Sequence, residues 1–397
     1  GDHRDLHRLI RRQRQMCIRD RGRVQTPVLK WVVDRYEEYL RDRGYLILVR
    51  IGDLKIKYFT KSIEDAKKLA EMINKHGIRV VRVSEEIREV NPKPPYTTDT
   101  LLSDASRILK ISPAKVMKIA QDLFELGLIT YHRTDSTHVS SVGVEIAREF
   151  LISKGLIDFF TPRSWGEKGT HECIRPTRPE ENIEKLMHSL IQNNVTPYHK
   201  QLYNLIFKRF IASQMRPSII KYIIADIYVD ELKITRVEAP VEIIKQGFTI
   251  VNQLNLMKFI RDEPEIILKP DPEDVKVIRA SKFPLYTVSD LVRLMREQGI
   301  GRPSTYAKAI ENNLRHGYIV LSKRRLKVIP TKLGIQVIRF LESSYPELVS
   351  TSLTRELETI LDYVKVGKLS RDEALLLVYS DLVGIKLTQV LMVGRSQ

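Results

Sequence analysis

The segment Gly127–Ser136, with the sequence GLITYHRTDS, combines residue types suited to nucleophilic chemistry. If the segment is extended, Tyr131, Arg133 and Asp135 point to one side, because side chains alternate between the two faces of a strand. A tyrosine hydroxyl ordinarily has a pKa of about 10, so it is a weak nucleophile at neutral pH without help. An arginine favours the phenolate and can bind a phosphate through two parallel hydrogen bonds. The pattern predicts attack by Tyr131 on a phosphodiester, with Arg133 holding the phosphate charge.

The same residue types also occur together in charge networks that serve only structure. Taken alone, Tyr131, Arg133 and Asp135 therefore favour a structural role. Features elsewhere in the chain must decide between the two interpretations.

Charge and composition indicate the class of partner. The chain has 397 residues, enough for two to four domains, and 66 Lys and Arg against 49 Asp and Glu give a net charge of +17. An excess of this size indicates a polyanion, most simply nucleic acid. Two cysteines, Cys17 and Cys173, exclude a disulfide framework and a four-cysteine zinc site, and Cys173 is interpreted as a small hydrophobic residue. No apolar run reaches the roughly 18 residues of a membrane helix, so no membrane partner is expected.

Residues 1–21 are expected to be a non-native leader. They contain seven Arg and three Asp with no sustained apolar face, and the run QMCIRDR is typical of vector-derived sequence. This excess of four positive charges, subtracted from +17, leaves +13 for the remainder. The prediction of a nucleic-acid partner is therefore unchanged.

The residue pattern after the leader predicts mixed α and β structure. Tyr45–Phe59 alternates like two strands around a Gly52-Asp53 turn, followed by a helix at about 62–76 and a strand at about 78–90. Residues 217–285 also alternate and are predicted to be β-rich.

A helix, a glycine and a short extended run occur twice. Ser112-Pro113 begins a helix that Gly127 ends, and a strand is expected at Leu128–Tyr131. Pro303 is expected to open a second helix that Gly317 ends before another β run. This repeat is typical of winged-helix domains. The second run leads into Lys323, Arg324 and Arg325, which suit phosphate contacts, although a solvated charged loop fits equally well.

Four segments, in this order, resemble one family, the type IA DNA topoisomerases, over about residues 22–370. They resemble the stretch after that family's metal-binding Toprim domain, its tyrosine motif, its histidine motif and a DNA-contacting helix start. The segments are Gly22–Pro27 (GRVQTP), Gly127–Ser136, Gly169–Thr177 (GTHECIRPT) and Gly299–Tyr306 (GIGRPSTY).

Within this family the chain resembles the topoisomerase half of reverse gyrase, a group found mostly in hyperthermophiles. The likeness rests on His132 beside the tyrosine, on Arg178-Pro179 after the histidine motif, and on the run Ile206–Met215.

The resemblance implies a mechanism and a set of site residues. Tyr131 would be the nucleophile that forms a 5′-phosphotyrosyl bond, and Arg133 would stabilise the phosphate in the transition state. Asp135 and His171 would pair, keeping the imidazole protonated and aimed at a phosphate oxygen. The residues expected to contact DNA are Gln121, Glu125, Thr130, Arg175, Arg302, Ser304 and Thr305, together with Lys323, Arg324 and Arg325.

The resemblance also implies an α+β multidomain fold, a type IA topoisomerase torus with winged-helix (CAP-like) domains and a β-rich gate domain. The expected divisions are the leader 1–21, a segment 22–41 that packs with the C-terminal domain, a gate domain of 42–90 and 213–285, a winged-helix domain with the tyrosine at 91–212, and a C-terminal winged-helix DNA-binding domain at 286–397.

The chain departs from the family pattern in two respects. After residue 21 it shows neither the acidic cluster with which the Toprim domain holds Mg²⁺ nor a Walker A loop for ATP. The chain is therefore expected to be a fragment that lacks the Toprim and helicase portions of its polypeptide. We expect it to be monomeric, cytoplasmic and nucleoid-associated, to bind single-stranded or underwound DNA, and not to relax DNA efficiently.

Two alternatives remain at this point. The chain could be a non-catalytic winged-helix DNA-binding module. It could also use a tyrosine nucleophile as recombinases do, although the histidine motif at 169–177 and the Gly-Arg-Pro-Ser run at 301–304 argue against that assignment.

Overall fold

A computed structural model describes residues 22–187, 195–257, 263–322 and 326–382. The chain divides into two compact units. Within the described ranges, the first unit comprises residues 22–36, 102–117 and 285–382, and the second comprises residues 37–101 and 118–284. The second unit holds most of the segments predicted to form the gate and tyrosine domains, and their finer division stays a prediction.

Both units contain helices and strands. The helices are α1 (Gly22–Arg41), α2 (Ile63–His76), α3 (Thr98–Leu109), α4 (Pro113–Glu125), α5 (Ser141–Ser153), α6 (Ile183–Met187), α7 (Pro197–Ser213), α8 (Val288–Glu297), α9 (Tyr306–Arg315), α10 (Lys332–Ser344), α11 (Thr351–Lys365) and α12 (Arg371–Leu382). The strands are β1 (Arg43–Ile51), β2 (Leu54–Thr60), β3 (Ile78–Val90), β4 (Ser218–Val229), β5 (Leu232–Lys245), β6 (Glu265–Leu268), β7 (Val275–Ser281), β8 (Ile319–Leu321) and β9 (Val328–Pro330).

Two antiparallel sheets share one hydrophobic core in the second unit. Their strand orders are β2–β1–β7 and β5–β4–β3–β6. Ile47 of the smaller sheet and Ile227 of the larger sheet are buried in this core together with Ile73 of α2. The predicted hairpin at Gly52-Asp53 and the β-rich character of residues 217–285 are confirmed.

Helix α2 shows how local sequence positions an element on this core. The Ser62 hydroxyl accepts a hydrogen bond from the N–H of Asp65 at 3.1 Å and so caps the helix start. Ala66, Leu69 and Ile73 follow at helical spacing and are buried. The predicted helix at about 62–76 is therefore confirmed, with its apolar stripe on the shared core.

The first helix–glycine segment differs from its prediction after the glycine. Helix α4 begins at Pro113 with Ser112 as its cap, as predicted, since the Ser112 hydroxyl accepts from the N–H of Lys115 at 3.3 Å. The prediction of a strand at Leu128–Tyr131 is wrong, because this stretch makes only a single β-bridge, between Ile129 and Pro176.

The second helix–glycine segment begins later than predicted. Helix α9 starts at Tyr306 and not at Pro303. Residues 302–305 form a turn instead, in which the Thr305 hydroxyl accepts from the N–H of Arg302 at 2.8 Å. After Gly317 the chain forms the antiparallel pair β8–β9, and the predicted phosphate-contacting residues Lys323, Arg324 and Arg325 lie outside the described residues.

The two segments share a hydrogen-bonded frame. In both, the residue after the glycine donates its N–H at 2.9 Å to a helix carbonyl five residues earlier. A later threonine donates its hydroxyl to the glycine carbonyl at 2.6 Å, Thr177 to Gly127 and Thr331 to Gly317. In both, the proline before that threonine pairs with the isoleucine two residues after the glycine. The frame encloses residues 130–175 in the first copy and residues 320–329 in the second.

Helix α1 is hydrogen-bonded to later elements of the first unit. The ammonium of Lys30 lies 2.6 Å from the Glu342 carboxylate of α10, and the Arg35 guanidinium donates to the Tyr286 hydroxyl at 2.9 Å. These contacts join the segment that contains the GRVQTP motif to residues after 285.

Candidate active site around Tyr131

Backbone hydrogen bonds join the tyrosine motif to the histidine motif. Leu128 and Ile129 are each 1% exposed and anchor the motif in the core. The N–H of Thr130 donates to the carbonyl of Arg175 at 2.9 Å, and the N–H of Arg175 donates to the Thr130 hydroxyl at 3.0 Å. Because this pairing stops at Thr130, the next residue, Tyr131, leaves the core beside the histidine motif.

Tyr131 lies against His171, with 4.8 Å between the ring centroids. Phe124, in the last turn of α4, meets the Tyr131 ring edge-on at 5.5 Å. Tyr131 is partly exposed and His171 is exposed, so both can be reached from solvent. The structure therefore brings together two residues that the resemblance assigned to one reaction.

Thr98, at the start of α3, holds the backbone that follows Tyr131. Its hydroxyl donates to the carbonyl of His132 at 2.8 Å and accepts from the N–H of Thr134 at 2.9 Å. His132 and Thr134 are buried, whereas Tyr131, Arg133 and Asp135 are partly or fully exposed. The alternation predicted for an extended segment is thus present without a strand ladder, and Thr98 is a positioning residue that the sequence analysis missed.

His132 is fully buried, and neither ring nitrogen has a hydrogen-bond partner among the described residues. Burial, helped by the positive charge of Arg133, lowers the pKa of His132 to about 4. The ring is therefore neutral at pH 7, and it packs beside Tyr131 with 5.6 Å between the centroids.

Arg133 has a hydrogen-bond donor that no described residue satisfies. Its Nε is buried and donates to no acceptor in the described ranges. A buried donor without a partner is costly, so a ligand oxygen that accepts from it would be favoured. Asp135 is exposed and, in the part of the chain that is described, is not hydrogen-bonded to His171. Their pairing stays a prediction.

Arg175 has a different environment from the one expected of a DNA-contacting residue. Its side chain is 5% exposed and donates two hydrogen bonds to the Glu172 carboxylate, at 2.8 and 2.6 Å. Burial alone would raise the pKa of Glu172, but the hydrogen bonds and charge of Arg175 hold that pKa below its ordinary value. Glu172 was missed by the sequence analysis, although its place three residues before Arg175 in the same motif was a usable signal.

Three other expected DNA contacts make internal hydrogen bonds. The Gln121 amide donates to Glu125 at 2.7 Å, and the Thr130 hydroxyl donates to the carbonyl of Cys173 at 2.7 Å. Cys173 itself is buried, and burial raises the pKa of its thiol to about 12, in keeping with a role as a small hydrophobic residue.

The expected phosphate contacts of the first unit lie at the start of α9. Arg302 forms ion pairs with Asp362 and, at 3.7 Å, with Glu358, both on α11. The Thr305 hydroxyl is hydrogen-bonded to the backbone N–H and carbonyl of Arg302, and Ser304 is exposed. Ser304 is thus the member of this group that stands open to a ligand.

Residues 6–376 match the family described as DNA topoisomerase, and the chain belongs to that family. The chain is 44% identical over 362 residues to reverse gyrase 2 of Aeropyrum pernix and 42% identical over 368 residues to reverse gyrase of Pyrococcus furiosus. These alignments cover 89% and 91% of the chain. The recognition of a type IA topoisomerase that resembles reverse gyrase is confirmed.

A solved structure supports the same fold. Full-length topoisomerase I from Thermotoga maritima matches with a TM-score of 0.68 and 31% sequence identity, covering 93% of this chain and 63% of that one. The chain spans 29% of the length of each of the two reverse gyrases. Among the described helices, none is long and apolar enough to cross a membrane.

Members of this family generally use Mg²⁺. In the ranges that the structure describes, no group of three or more His, Cys, Asp or Glu side chains is placed to hold a metal ion. No such cluster is therefore present among the described residues to hold Mg²⁺, and the steps proposed below use only side chains of this chain.

Proposed function

We propose that this chain carries the tyrosine site of a type IA, reverse gyrase-like DNA topoisomerase, which cuts one DNA strand through a covalent bond to Tyr131. The observation that carries this proposal is the contact between Tyr131 and His171, whose ring centroids lie 4.8 Å apart although they come from separate motifs. A buried Arg133 donor without a partner next to the tyrosine adds a place for a phosphate oxygen.

The proposed cleavage step is a transesterification. The Tyr131 hydroxyl oxygen attacks the phosphorus, the bond to the 3′ oxygen breaks, and the 5′ phosphate remains on the tyrosine. The tyrosine proton is released, and the departing 3′ oxygen takes up a proton. One phosphodiester replaces another, so the reverse attack by the 3′ hydroxyl reseals the strand without a nucleotide cofactor.

Two cations stabilise the phosphate in this proposal. Arg133 donates hydrogen bonds to the non-bridging oxygens, on which negative charge builds up in the transition state. His171, exposed beside the Tyr131 ring, donates to another phosphate oxygen when protonated. Asp135, four residues after the tyrosine, would orient His171 once DNA is bound.

Other site residues are proposed to position these groups or to hold DNA. Arg175 and Glu172 support the histidine motif, and Thr98 supports the tyrosine motif, through the contacts described above. The proposed DNA contacts of the first unit are Arg302, Ser304, Thr305, Lys323, Arg324 and Arg325. Arg302 would exchange its carboxylate partners for phosphate.

The larger architecture is proposed by analogy with the family. The two helix–glycine segments would belong to winged-helix domains, and the sheets of the second unit would form the gate of a torus. Strand passage through that gate, and any supercoiling activity, are proposed for the whole protein, since the chain spans 29% of the two reverse gyrases.

A covalent-trapping assay tests the tyrosine assignment. The protein is incubated with end-labelled single-stranded DNA and Mg²⁺, denatured, and examined for protein linked to a 5′ end. We expect an adduct with the wild type and with Tyr222→Phe, a matched control on β4 of the same unit, and none with Tyr131→Phe.

Each other outcome has a definite meaning. An adduct that persists in Tyr131→Phe would overturn the assignment of the nucleophile. Salt-sensitive DNA binding by the wild type without any adduct would overturn strand cleavage by this chain and would favour the non-catalytic DNA-binding module.

A further inference from the structure

The three-stranded sheet β2–β1–β7 has one face in the core and one face toward solvent. Ile47 and Val49 of β1 and Ile56 of β2 point into the core and are at most 3% exposed. The residues between them point the other way, because side chains alternate along a strand. We call this opposite side the outer face. It consists of Gly44, Leu46, Leu48, Arg50, Lys55, Lys57, Phe59, Lys276, Ile278 and Ala280.

Every charged residue of the outer face is a cation. Arg50, Lys55, Lys57 and Lys276 are all exposed, and the face contains no carboxylate. The register places Lys57 and Lys276 on either side of Leu48, and it places Arg50 directly opposite Lys55. Like charges directly opposite each other destabilise an antiparallel pair, so this arrangement does not serve the fold.

The lysines of the outer face are also unpaired. In the described ranges, the side chains of Lys55, Lys57 and Lys276 take part in no hydrogen bond or ion pair, and only Arg50 of this face approaches a carboxylate, that of Asp274, at 3.6 Å. The neighbouring four-stranded sheet behaves differently. There Arg88 is paired with Glu238, and Lys233 is paired with Asp226 at 2.6 Å. Arg88 and Lys233 of the four-stranded sheet are thus neutralised by carboxylates, whereas the three lysine side chains of the outer face are not.

We propose that the outer face binds the phosphate backbone of DNA, as a contact surface separate from the tyrosine motif. Along β2 the two lysines are about 6.8 Å apart, and Lys57 and Lys276 are separated by about 9.6 Å across the sheet, given ordinary strand geometry. A flat grid of cations with this spacing suits a linear polyanion.

The apolar residues of the outer face argue against a membrane as its partner. Leu46, Leu48, Phe59 and Ile278 are only partly exposed, and no large apolar side chain protrudes from the sheet. A surface that inserts into lipid presents protruding apolar side chains beside its cations, and this one presents cations alone. The choice of DNA rests on the proposed function.

The salt dependence of DNA binding tests this surface. The variant Lys55→Glu/Lys57→Glu/Lys276→Glu is compared with Lys67→Glu/Lys68→Glu/Lys75→Glu, which makes the same charge change on exposed lysines of α2 in the same unit. The slope of log K against log salt is negative. Loss of three phosphate contacts makes it less steep by about 2.7 for duplex DNA or about 2.1 for single-stranded DNA. We expect this loss in the first variant and little change of slope in the α2 control.

The two forms of DNA are separate arms, and the arm with the larger loss identifies the form that the outer face binds. Equal slopes in wild type and sheet variant would overturn the proposal, as would equal losses in the sheet and α2 variants. The neutral variant Lys55→Gln/Lys57→Gln/Lys276→Gln, checked by circular dichroism, gives the same test without introducing new ion pairs.

Trapping of the 5′ end by Tyr131 is scored separately. A slope loss without an adduct keeps this surface and rejects the tyrosine chemistry, and the reverse result rejects only this surface.

Discussion

The two helix–glycine segments have the same frame and different contents. In each, a glycine with positive φ, +68° at Gly127 and +69° at Gly317, ends a helix, and a threonine hydroxyl closes on that glycine's carbonyl at 2.6 Å. In the second copy the chain returns between these points through the short pair β8–β9. In the first copy residues 130–175 occupy the same interval and carry Tyr131 and His171.

The difference shows how the proposed reactive site is built into a structural unit that also occurs without it. The frame fixes the two ends of the interval, so a longer insertion can be accommodated without disturbing the helix that precedes it. The insertion then needs supports of its own, which the hairpin does not need. Thr98 fixes the backbone after Tyr131, and Glu172 with Arg175 fixes the return. The proposed chemistry thus depends on contacts added inside a repeated scaffold.

Substitution of Arg175 should give the largest difference in stability loss between the first and the second helix–glycine segment. Arg175→Ala leaves the Glu172 carboxylate with the Ser140 N–H, at 3.2 Å, as its hydrogen-bond donor and removes its ion-pair partner. Breaking a buried pair costs about 3–5 kcal/mol, toward the low end here because Glu172 is 24% exposed. Ile329, which precedes the proline in the second copy, has no such pair, so Ile329→Ala should cost less. Urea unfolding at pH 7 measures both changes. Arg178→Ala, an exposed arginine three residues further on, is the control, and equal midpoints for the two arginine variants would contradict the assigned support role.

Low pH should lower the free energy of unfolding through His132, which lies in the first helix–glycine segment. Its pKa is about 4 in the folded protein and about 6.5 for an ordinary histidine, so the unfolded chain binds the extra proton first as the pH falls. Stability is therefore complete above pH 6.5 and decreases toward pH 4, by up to about 3 kcal/mol.

The measurement is urea unfolding at pH 7 and pH 4.5 for the wild type and for His132→Gln, which cannot titrate. We expect a smaller loss between the two pH values in the variant. An identical loss in both proteins would show that His132 is not the group responsible.

Substitution of the two glycines should give the smallest effects and similar ones in both copies. An alanine in the left-handed conformation costs about 1–2 kcal/mol, and neither site has an atom within 4 Å of an added Cβ. Gly127→Ala and Gly317→Ala should therefore destabilise their segments to a similar extent, measured as the shift in unfolding midpoint. A much larger effect at Gly127 would indicate that the frame itself is specialised for the site.

Much of the local structure could be predicted from residue patterns. The cap at Ser112, the hairpin at Gly52-Asp53 and the glycine ends at Gly127 and Gly317 all depend on neighbouring residues, and all appear as expected. The start of α9 did not, because the Thr305 hydroxyl stabilises a turn where proline indicated a helix.

The sequence by itself determined the family and the residue types at the proposed site, since both are carried by short motifs whose order is visible along the chain. Only the tertiary structure decided which of those residues meet. The approach of His171 to Tyr131, the burial of Arg175 against Glu172 and the unpaired lysines of the outer face depend on contacts between segments distant in sequence. Residue periodicity reports which face of an element is buried, whereas long-range pairing is set by how several such faces pack at once.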